Sequence, residues 1–218
     1  MKKRINKIRW EIAKIFRFDN VYSLSISFKC NSKCDYCLVK VYDVTKYQEH
    51  DYKWWIDFID RNKFKIVSIS GGEPSIFPGI EHIINHCIDR KILVNVSTNL
   101  RVLIKNIKKS WRLRFCATYH DGFVDLRTFL INYTKLSKDY WVSVQELHND
   151  ETHVIPFARD EKIFINEWGD SLCPHINYFP NGEIIPKRML IPRHNEFIDK
   201  VFKFLRDISG YTKKMKWL

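Results

Sequence analysis

The hydrophobic residues of this chain repeat with a period of two in some segments and of about 3.6 in others, and the two patterns alternate along the sequence. The shorter period predicts strands at residues 21–29, 65–71, 91–99, 112–120, 140–148 and 162–168. The longer period predicts helices at 2–17, 52–62, 78–90, 100–110, 126–137, 152–160 and 195–209. Strands that alternate with helices predict an α/β fold with a parallel sheet, and 218 residues suffice for one domain with a substantial core.

One side of each of the first four predicted strands is apolar, and the other side is small or polar. The polar side chains, in strand order, are Ser23, Ser25, Ser27, Ser68, Ser70, Asn95, Ser97, Asn99, Arg114, Cys116, Thr118 and His120. A parallel strand that is covered on both sides is usually apolar on both, so a consistently polar side predicts an open barrel around a polar cavity. Sites in such folds lie at the carboxyl ends of the strands, where we expect residues 30–37, 71–74, 97–99 and 118–120 to meet.

The composition indicates a cytoplasmic protein. Hydrophobic residues make up 45% of the chain, and no apolar run approaches the roughly 18 residues that a membrane-spanning helix needs. The amino terminus is basic but lacks the apolar core and cleavage site of a secretory signal, which predicts a reducing compartment. In such a compartment the six cysteines indicate metal binding or catalysis before disulfides.

The basic residues are concentrated in two segments. The formal net charge is +12, and residues 2–17 and 101–114 are strongly basic. Such patches suit a nucleic acid, an anionic membrane surface or an acidic electron-donor protein, or they are simply a solvated face. The first segment also carries an isoleucine stripe, made of Ile5, Ile8, Ile12 and Ile15. The helix predicted there therefore either caps the domain, as such stripes usually do, or lies on a membrane surface.

Three cysteines, Cys30, Cys34 and Cys37, follow the first predicted strand within one short loop. Structural zinc takes four Cys or His ligands, and this loop offers three thiols and no adjacent histidine. An iron–sulfur cube normally takes four thiolates, so three would leave one iron open to another ligand. The alternatives are three unrelated cysteines or a zinc site completed by the distant Cys173 or His175.

Three motifs resemble those of the radical S-adenosylmethionine (SAM) enzymes. Residues 30–37, Cys-Asn-Ser-Lys-Cys-Asp-Tyr-Cys, resemble the CxxxCxxC signature of that family. Residues 70–74, Ser-Gly-Gly-Glu-Pro, resemble its GGEP motif, and residues 97–99, Ser-Thr-Asn, resemble its polar STN turn. The resemblance covers residues 21–170 and implies a partial (β/α)6 barrel of the TIM type. Residues 1–20 would then form an N-terminal amphipathic helix and 171–218 a short appendage of a hairpin and a helix.

The resemblance also implies roles for individual residues. Cys30, Cys34 and Cys37 would each bind one iron of a [4Fe-4S] cluster, and SAM would chelate the fourth. The residues implied to contact SAM are Tyr36, Gly71, Gly72, Glu73, Pro74, Ser97 and Asn99. In this family the glycines allow the backbone to approach the methionine ammonium. For Ser97 and Asn99, capping of a helix is the alternative role.

The family chemistry is the reductive cleavage of SAM to methionine and a 5′-deoxyadenosyl radical, which abstracts a hydrogen atom from the substrate. A flavodoxin or ferredoxin would supply the electron. His120 is the candidate for a substrate contact, or else a structural histidine, and Cys116 is a candidate hydrogen-atom donor, or else a small buried side chain. Further candidates at the strand ends are Tyr119, Asp121, Gln145, Glu146, His148, Glu167 and Trp168.

Residues 171–218 resemble a shortened SPASM or twitch segment, which in many peptide-modifying members binds auxiliary clusters. Cys173 is followed by the Pro-Asn-Gly of residues 180–182, but Lys187 stands where a second cysteine is expected. This predicts a single cluster and a hairpin turn at 180–182. The remnant favours a peptide or protein side chain as substrate. The alternatives are a nucleotide or other small molecule, as in the viperin group, and a non-catalytic metal-binding nucleic-acid module, which is not favoured.

Overall fold

A computed structural model of the chain describes residues 2–17, 21–34, 37, 39, 45, 47–147, 155, 159–160 and 175–178. Its elements in chain order are α1 (Lys2–Arg17), β1 (Val21–Ser25), α2 (Tyr52–Asn62), β2 (Ile66–Ser70), α3 (Ile80–Asp89), β3 (Leu93–Thr98), β4 (Leu113–His120), α4 (Leu126–Asp139), β5 (Trp141–Leu147), β6 (Arg159–Asp160) and β7 (His175–Tyr178). A short 3₁₀ turn, Pro74–Ile76, follows β2.

The described strands form one seven-stranded sheet in the order β6-β5-β4-β3-β2-β1-β7, and every neighbouring pair is parallel. The two edge strands, β6 and β7, lie at opposite ends of this order, so the barrel is not closed in the described part of the chain. The predicted α/β class with a partial TIM-type barrel is confirmed. β7 pairs with β1, so residues 175–178 of the predicted appendage are part of the sheet.

The main core lies between one side of the sheet and the helices α2, α3 and α4. The apolar strand residues predicted for that side are buried in it, among them Leu24, Ile69, Val96 and Phe115. Burial of a side chain of this size contributes about 1.5–3 kcal/mol. This packing fixes the orientation of the sheet, and the polar side of each strand therefore faces away from the helices.

The helix α1 packs on the amino-terminal edge of the sheet. Trp10 is 2% exposed and contacts Val21, Ile66 and Leu93, which are the first residues of three neighbouring strands. Its indole Nε1 donates a hydrogen bond to the carbonyl of Arg112 at 3.1 Å. The helix α1 therefore caps the sheet as predicted. The indole ring of Trp10, and not the isoleucine stripe, makes the contact.

The isoleucine face of α1, defined here as Ile5, Ile8 and Ile12, is turned away from the sheet. These side chains are 42%, 38% and 36% exposed. The expectation that the stripe packs against the domain is thus wrong for these three residues. A large aromatic side chain opposite the stripe fills the space between the strand starts, and periodicity alone does not reveal which face does so.

The segment predicted to be a helix at 100–110 is an extended connection with bends. Leu100 and Asn106 have φ angles of 55° and 57°, which are incompatible with a right-handed helix. Side-chain amides replace helical hydrogen bonds, because Asn132 donates to the Leu100 carbonyl at 2.7 Å and Asn85 to the Asn106 carbonyl at 2.9 Å. Ile107 packs against the core, which accounts for the helix-like apolar spacing.

The remaining predictions concern the part of the chain after residue 150. Residues 159–160 form a strand where a helix at 152–160 is predicted. The predicted strand at 162–168, the turn at 180–182 and the helix at 195–209 lie outside the described residues, as does Cys173. Within the described ranges, no helix combines the length and the apolar character needed to cross a membrane.

Candidate functional site

The predicted motifs meet at the carboxyl ends of β1 to β4. We call residues 29–37, of which 29–34 and 37 are described, the cysteine loop, and residues 71–74 the glycine turn. The glycine turn continues the pairing of β2 with the chain that leaves β1. The Gly72 amide donates to the Ser27 carbonyl at 2.7 Å, and the Glu73 amide donates to the Lys29 carbonyl at 2.8 Å. These bonds hold the glycine turn against the start of the cysteine loop.

The two glycines are needed because the backbone of the chain itself passes so close to them. A Cβ atom on Gly72 would lie 2.0 Å from the Lys29 carbonyl oxygen, and one on Gly71 would lie 2.3 Å from the Ser27 carbonyl oxygen. Gly71 also has a φ of 128°, which other residues rarely adopt. The close packing of two protein segments therefore requires glycine at both positions, and the approach of a ligand to this backbone stays a prediction.

Glu73 joins the glycine turn to the end of β3. Its side chain is 3% exposed, and its two carboxylate oxygens accept three hydrogen bonds. The donors are the Thr98 hydroxyl at 2.7 Å, the Asn99 amide at 2.7 Å and the Ser75 amide at 3.0 Å. Pro74 begins the 3₁₀ turn that follows, with Glu73 as its N-cap residue. A buried carboxylate with this many donors braces the rim.

Asn99 joins the end of β3 to the cysteine loop. Its side-chain amide donates to Asn31 Oδ1 at 2.8 Å and to Ser32 Oγ at 3.3 Å, and its Oδ1 accepts from the Arg101 amide at 3.0 Å. The Arg101 guanidinium also donates to the Asn31 carbonyl. Because no helix follows Asn99, the alternative of helix capping is wrong. Ser97 lies in register with Cys116 on the polar side of the sheet.

A residue that the sequence does not single out, Glu49, fixes the entry to the cysteine loop. One carboxylate oxygen accepts from Ser27 Oγ at 2.7 Å and from the Phe28 amide at 2.8 Å, and the other lies 3.4 Å from Lys29 Nζ. Burial acts to raise the pKa of Glu49, but these hydrogen bonds and the Lys29 charge outweigh it and lower that pKa. No motif marks Glu49, because its partners are distant in sequence.

The three loop cysteines are reduced and differ in burial. Cys30 is exposed, Cys37 is half-buried and Cys34 is buried. The Cys30 sulfur accepts from the Ser32 amide at 3.3 Å, and the Cys37 amide donates to the Cys34 carbonyl at 3.2 Å. Partial burial raises the pKa of the Cys30 thiol, and the nearby Glu73 and Cys37 add to the rise. An iron centre beside these thiols would favour their deprotonated form instead.

In the described part of the chain, no three His, Cys, Asp or Glu side chains are arranged to hold a metal ion. An iron–sulfur cube binds each thiolate to a different iron, so its ligands stand farther apart than the ligands of one ion. Soft thiolate donors on one loop fit such a cube better than they fit a hard cation. The donor set therefore suits an iron–sulfur cluster bound at three irons.

His120 reaches the cysteine loop from the end of β4. Its Nδ1 lies 3.6 Å from Cys34 Sγ, and burial lowers the pKa of the ring to about 4, so the imidazole is neutral at pH 7. Cys116 is buried on the same side of β4, between Ser97 and Ser143 in register. Both candidate catalytic residues thus lie on the polar side of the sheet, and the His120 ring contacts Cys34 of the cysteine loop.

The floor of the polar side is filled by paired side chains. Asn95 donates to Ser68 Oγ at 3.0 Å and accepts from Arg114 Nε at 2.7 Å. The Arg114 guanidinium lies over the rings of Trp10 and Trp141, 4.4 Å and 5.0 Å from their centroids. The amino-terminal part of the predicted cavity is therefore occupied by these groups.

Two rim candidates lie on the helix side of the sheet instead. Tyr119 is buried and packs edge-on against Phe129, and burial raises its pKa. Glu146 is fully buried and accepts a hydrogen bond from the Ile155 amide at 3.2 Å. The sequence alternation already places them with the core residues Ala117 and Val144. Tyr36, His148, Glu167 and Trp168 lie outside the described residues.

Comparison with known proteins gives one family. The sequence model of the Radical SAM superfamily matches residues 24–121. No curated protein sequence matches the chain. Streptococcus suis SuiB, in structures bound to S-adenosylmethionine and to the precursor peptide SuiA, is 18% identical with a TM-score of 0.48, over 66% of this chain and 37% of that one. BtrN in an open conformation is 15% identical with a TM-score of 0.44, over 87% of this chain and 84% of that one. The chain thus spans little more than a third of the SuiB chain.

Proposed function

We propose that the chain is a member of the Radical SAM superfamily, whose sequence model matches residues 24–121. Cys30, Cys34 and Cys37 would then bind a [4Fe-4S] cluster, and the protein would be an enzyme that uses SAM. Members of this family use that cluster and SAM. The proposal is carried by one observation, the hydrogen-bonded assembly of the cysteine loop, the glycine turn and residues 97–99 at one rim of the sheet.

A cluster held by Cys30, Cys34 and Cys37 would supply the one electron for reductive cleavage of SAM to methionine and a 5′-deoxyadenosyl radical, the species that would take a hydrogen atom from the substrate. The chain's own residues orient the reactants and exclude water from them. Glu73 and Asn99 hold the cysteine loop, the glycine turn and residues 97–99 in one arrangement. The backbone of Gly71 and Gly72 is the candidate contact for the methionine part of SAM. Ser97, in register with Cys116 on the polar side of the sheet, is a further candidate contact for SAM.

We propose an acidic flavodoxin or ferredoxin as the electron donor. Lys29, Lys33 and Arg101 are exposed on or beside the cysteine loop. Positive charge at the rim that holds the cluster favours docking of an acidic partner there. The rate of reduction by such a donor should therefore fall as salt is added, and a rate that is independent of salt would contradict this docking.

We further propose that the substrate is a peptide or protein side chain. The support is the sequence of residues 171–218, with its Cys173 and its Pro-Asn-Gly at 180–182. Incubation of the reduced enzyme with candidate peptides and with nucleoside triphosphates, followed by mass spectrometry, separates the two substrate classes. Modification of a nucleotide and of no peptide would replace this part of the proposal.

The cluster proposal is tested by anaerobic reconstitution with iron and sulfide. We expect the wild-type protein to take up about four irons per chain and, once reduced, to convert SAM to 5′-deoxyadenosine. The variants Cys30→Ala, Cys34→Ala and Cys37→Ala should lose both properties. Cys87→Ala is the matched control, because Cys87 is a buried cysteine in the core, on α3. A full cluster in any of the three loop variants would contradict the ligand assignment.

A further inference from the structure

We propose that His120 is a positioning residue for the cluster: its Nδ1–H donates a hydrogen bond to the sulfur of Cys34 and raises the reduction potential of the cluster. The proposal rests on the proposed function, because it requires a cluster on Cys34. In this proposal the ring of His120 contacts a ligand of the cluster, whereas the sequence suggests that it contacts the substrate.

The contact joins two parts of the chain that are 86 positions apart, and its atoms are 3.6 Å from each other. This is an ordinary separation for a hydrogen bond to sulfur, whose radius exceeds that of oxygen. Cys34 is buried, so little water competes for its sulfur. In such surroundings a hydrogen bond is electrostatically stronger than it is in water.

The sheet, rather than a free loop, positions the histidine. His120 is the last residue of β4 and is in register with Leu147 of β5. Its carbonyl accepts hydrogen bonds from the amides of Phe123 and Val124 at 3.1 Å and 3.0 Å. With the backbone held on both sides, the ring is presented to the cysteine loop by a rigid element. A site built on strands is more accurately placed than one built on loops.

The chemistry of a bound thiolate fixes the direction of the hydrogen bond. A cysteine that binds iron has lost its proton, so its sulfur can only accept. Nδ1 must then carry a proton, which only one of the two tautomers of a neutral imidazole provides. The reduced cluster carries one more negative charge than the oxidised cluster, so a donor beside its sulfur stabilises the reduced form more. Hydrogen bonds to the sulfurs are among the factors that set the potentials of such clusters.

The experiment is a redox titration, followed by EPR, of the reconstituted protein in the absence of SAM. His120→Asn keeps an N–H donor near the position of Nδ1, and His120→Leu has nearly the same shape as Asn but no donor. For the Leu variant we expect a midpoint potential that is more negative by about 59 mV, equivalent to a tenfold weaker reduction equilibrium of a one-electron couple. For the Asn variant we expect the wild-type potential within the scatter of the measurement.

An unchanged potential in His120→Leu, or an equal shift in both variants, would overturn the hydrogen bond while leaving the cluster proposal intact. Absence of a cluster from the wild-type protein would overturn both. A second measurement uses only the wild-type protein, so it remains informative if the variants fail to bind a cluster. Pulsed EPR of the reduced wild-type protein labelled with ¹⁵N-histidine should show a weak nitrogen coupling to the cluster, and its absence would count against the contact.

Discussion

At the scale of single residues, the rim depends on Gly72 and Glu73, two neighbours that make different contributions. Gly72 leaves space that the backbone of Lys29 occupies, and Glu73 supplies acceptors that three donors require. Neither contribution needs a bound ligand. The motif therefore shapes the cysteine loop through contacts within the protein.

Gly72→Ala should disturb the cysteine loop as well as the binding of SAM. The added Cβ would overlap the carbonyl of Lys29, the residue before Cys30, and backbone cannot move aside as a flexible side chain can. We expect a loss of iron uptake in reconstitution together with a lower unfolding midpoint. Gly122→Ala is the control for iron uptake, because its φ of 74° makes alanine strained there while no atom lies within 4 Å of the added Cβ. Normal iron uptake by Gly72→Ala would show that the loop tolerates the overlap.

Glu73→Gln should destabilise the fold by about 1–3 kcal/mol, because an amide NH₂ would face one of the three donors and leave buried groups unpaired. Urea unfolding of the protein without a cluster measures this loss directly. Glu81→Gln, on the first turn of α3, serves as the matched control with an expected change of at most about 0.5 kcal/mol. Equal stability of the two variants would contradict the role of Glu73 as a brace.

At the scale of elements, α1 shows how the sequence identifies a helix better than it identifies its buried face. The bounds Lys2–Arg17 agree with the prediction, and the face that packs on the sheet carries Trp10. Contact of the isoleucine face with a membrane surface stays a prediction. The basic residues of α1 fit such a surface, and the protein interface made by Trp10 leaves that face open to it.

Trp10→Ala should destabilise the protein by about 3–5 kcal/mol, since it removes a buried indole from between three strands. Ile8→Ala should change the stability by at most about 0.5 kcal/mol, because Ile8 lies on the exposed face. Thermal or urea unfolding distinguishes the two. A larger loss in Ile8→Ala than in Trp10→Ala would mean that the stripe packs on the domain after all.

Asp60 links α2 to α3 and should make their packing sensitive to acid. Burial acts to raise its pKa, but hydrogen bonds with His86 at 2.9 Å and Arg90 at 2.8 Å outweigh it and lower that pKa. A lowered pKa in the folded state stabilises the protein above the unfolded-state value of about 3.9, and the effect is lost as the pH falls through the folded-state value. Asp60→Asn should therefore be less stable than wild type in urea at pH 7, and the difference should shrink below about pH 4. A difference that is constant with pH would contradict this.

The motifs could be predicted from the sequence because each is short and follows a strand that alternation identifies. The hydrogen bonds of Glu49 and Asn99 could not be predicted, because the sheet determines which distant residues lie next to them. Glu49 lies 21 positions from Phe28, and Asn99 lies 68 positions from Asn31. The connection after β3 was predicted to be a helix for a related reason. Its apolar residues pack on the core at helix-like intervals, whereas side-chain amides hold its backbone in another shape.

At the scale of the whole molecule, the two edges of the parallel sheet carry different groups of side chains. Trp10 and Arg114 fill the amino-terminal edge, and the carboxyl edge gathers the cysteine loop, the glycine turn and His120. Among the described strands, the sheet is open at β6 and β7. The central claim is that the rim holds a cluster by three thiolates, so that one iron remains open to SAM.

The most direct test of that claim is the EPR spectrum of the reduced, reconstituted protein with and without SAM. Binding of SAM to the open iron changes the ligands of the cluster, so we predict a clear change in the spectrum of the wild-type protein. A spectrum that is identical at SAM concentrations shown separately to saturate the protein would contradict the account, because it would mean that every iron is already held by the polypeptide.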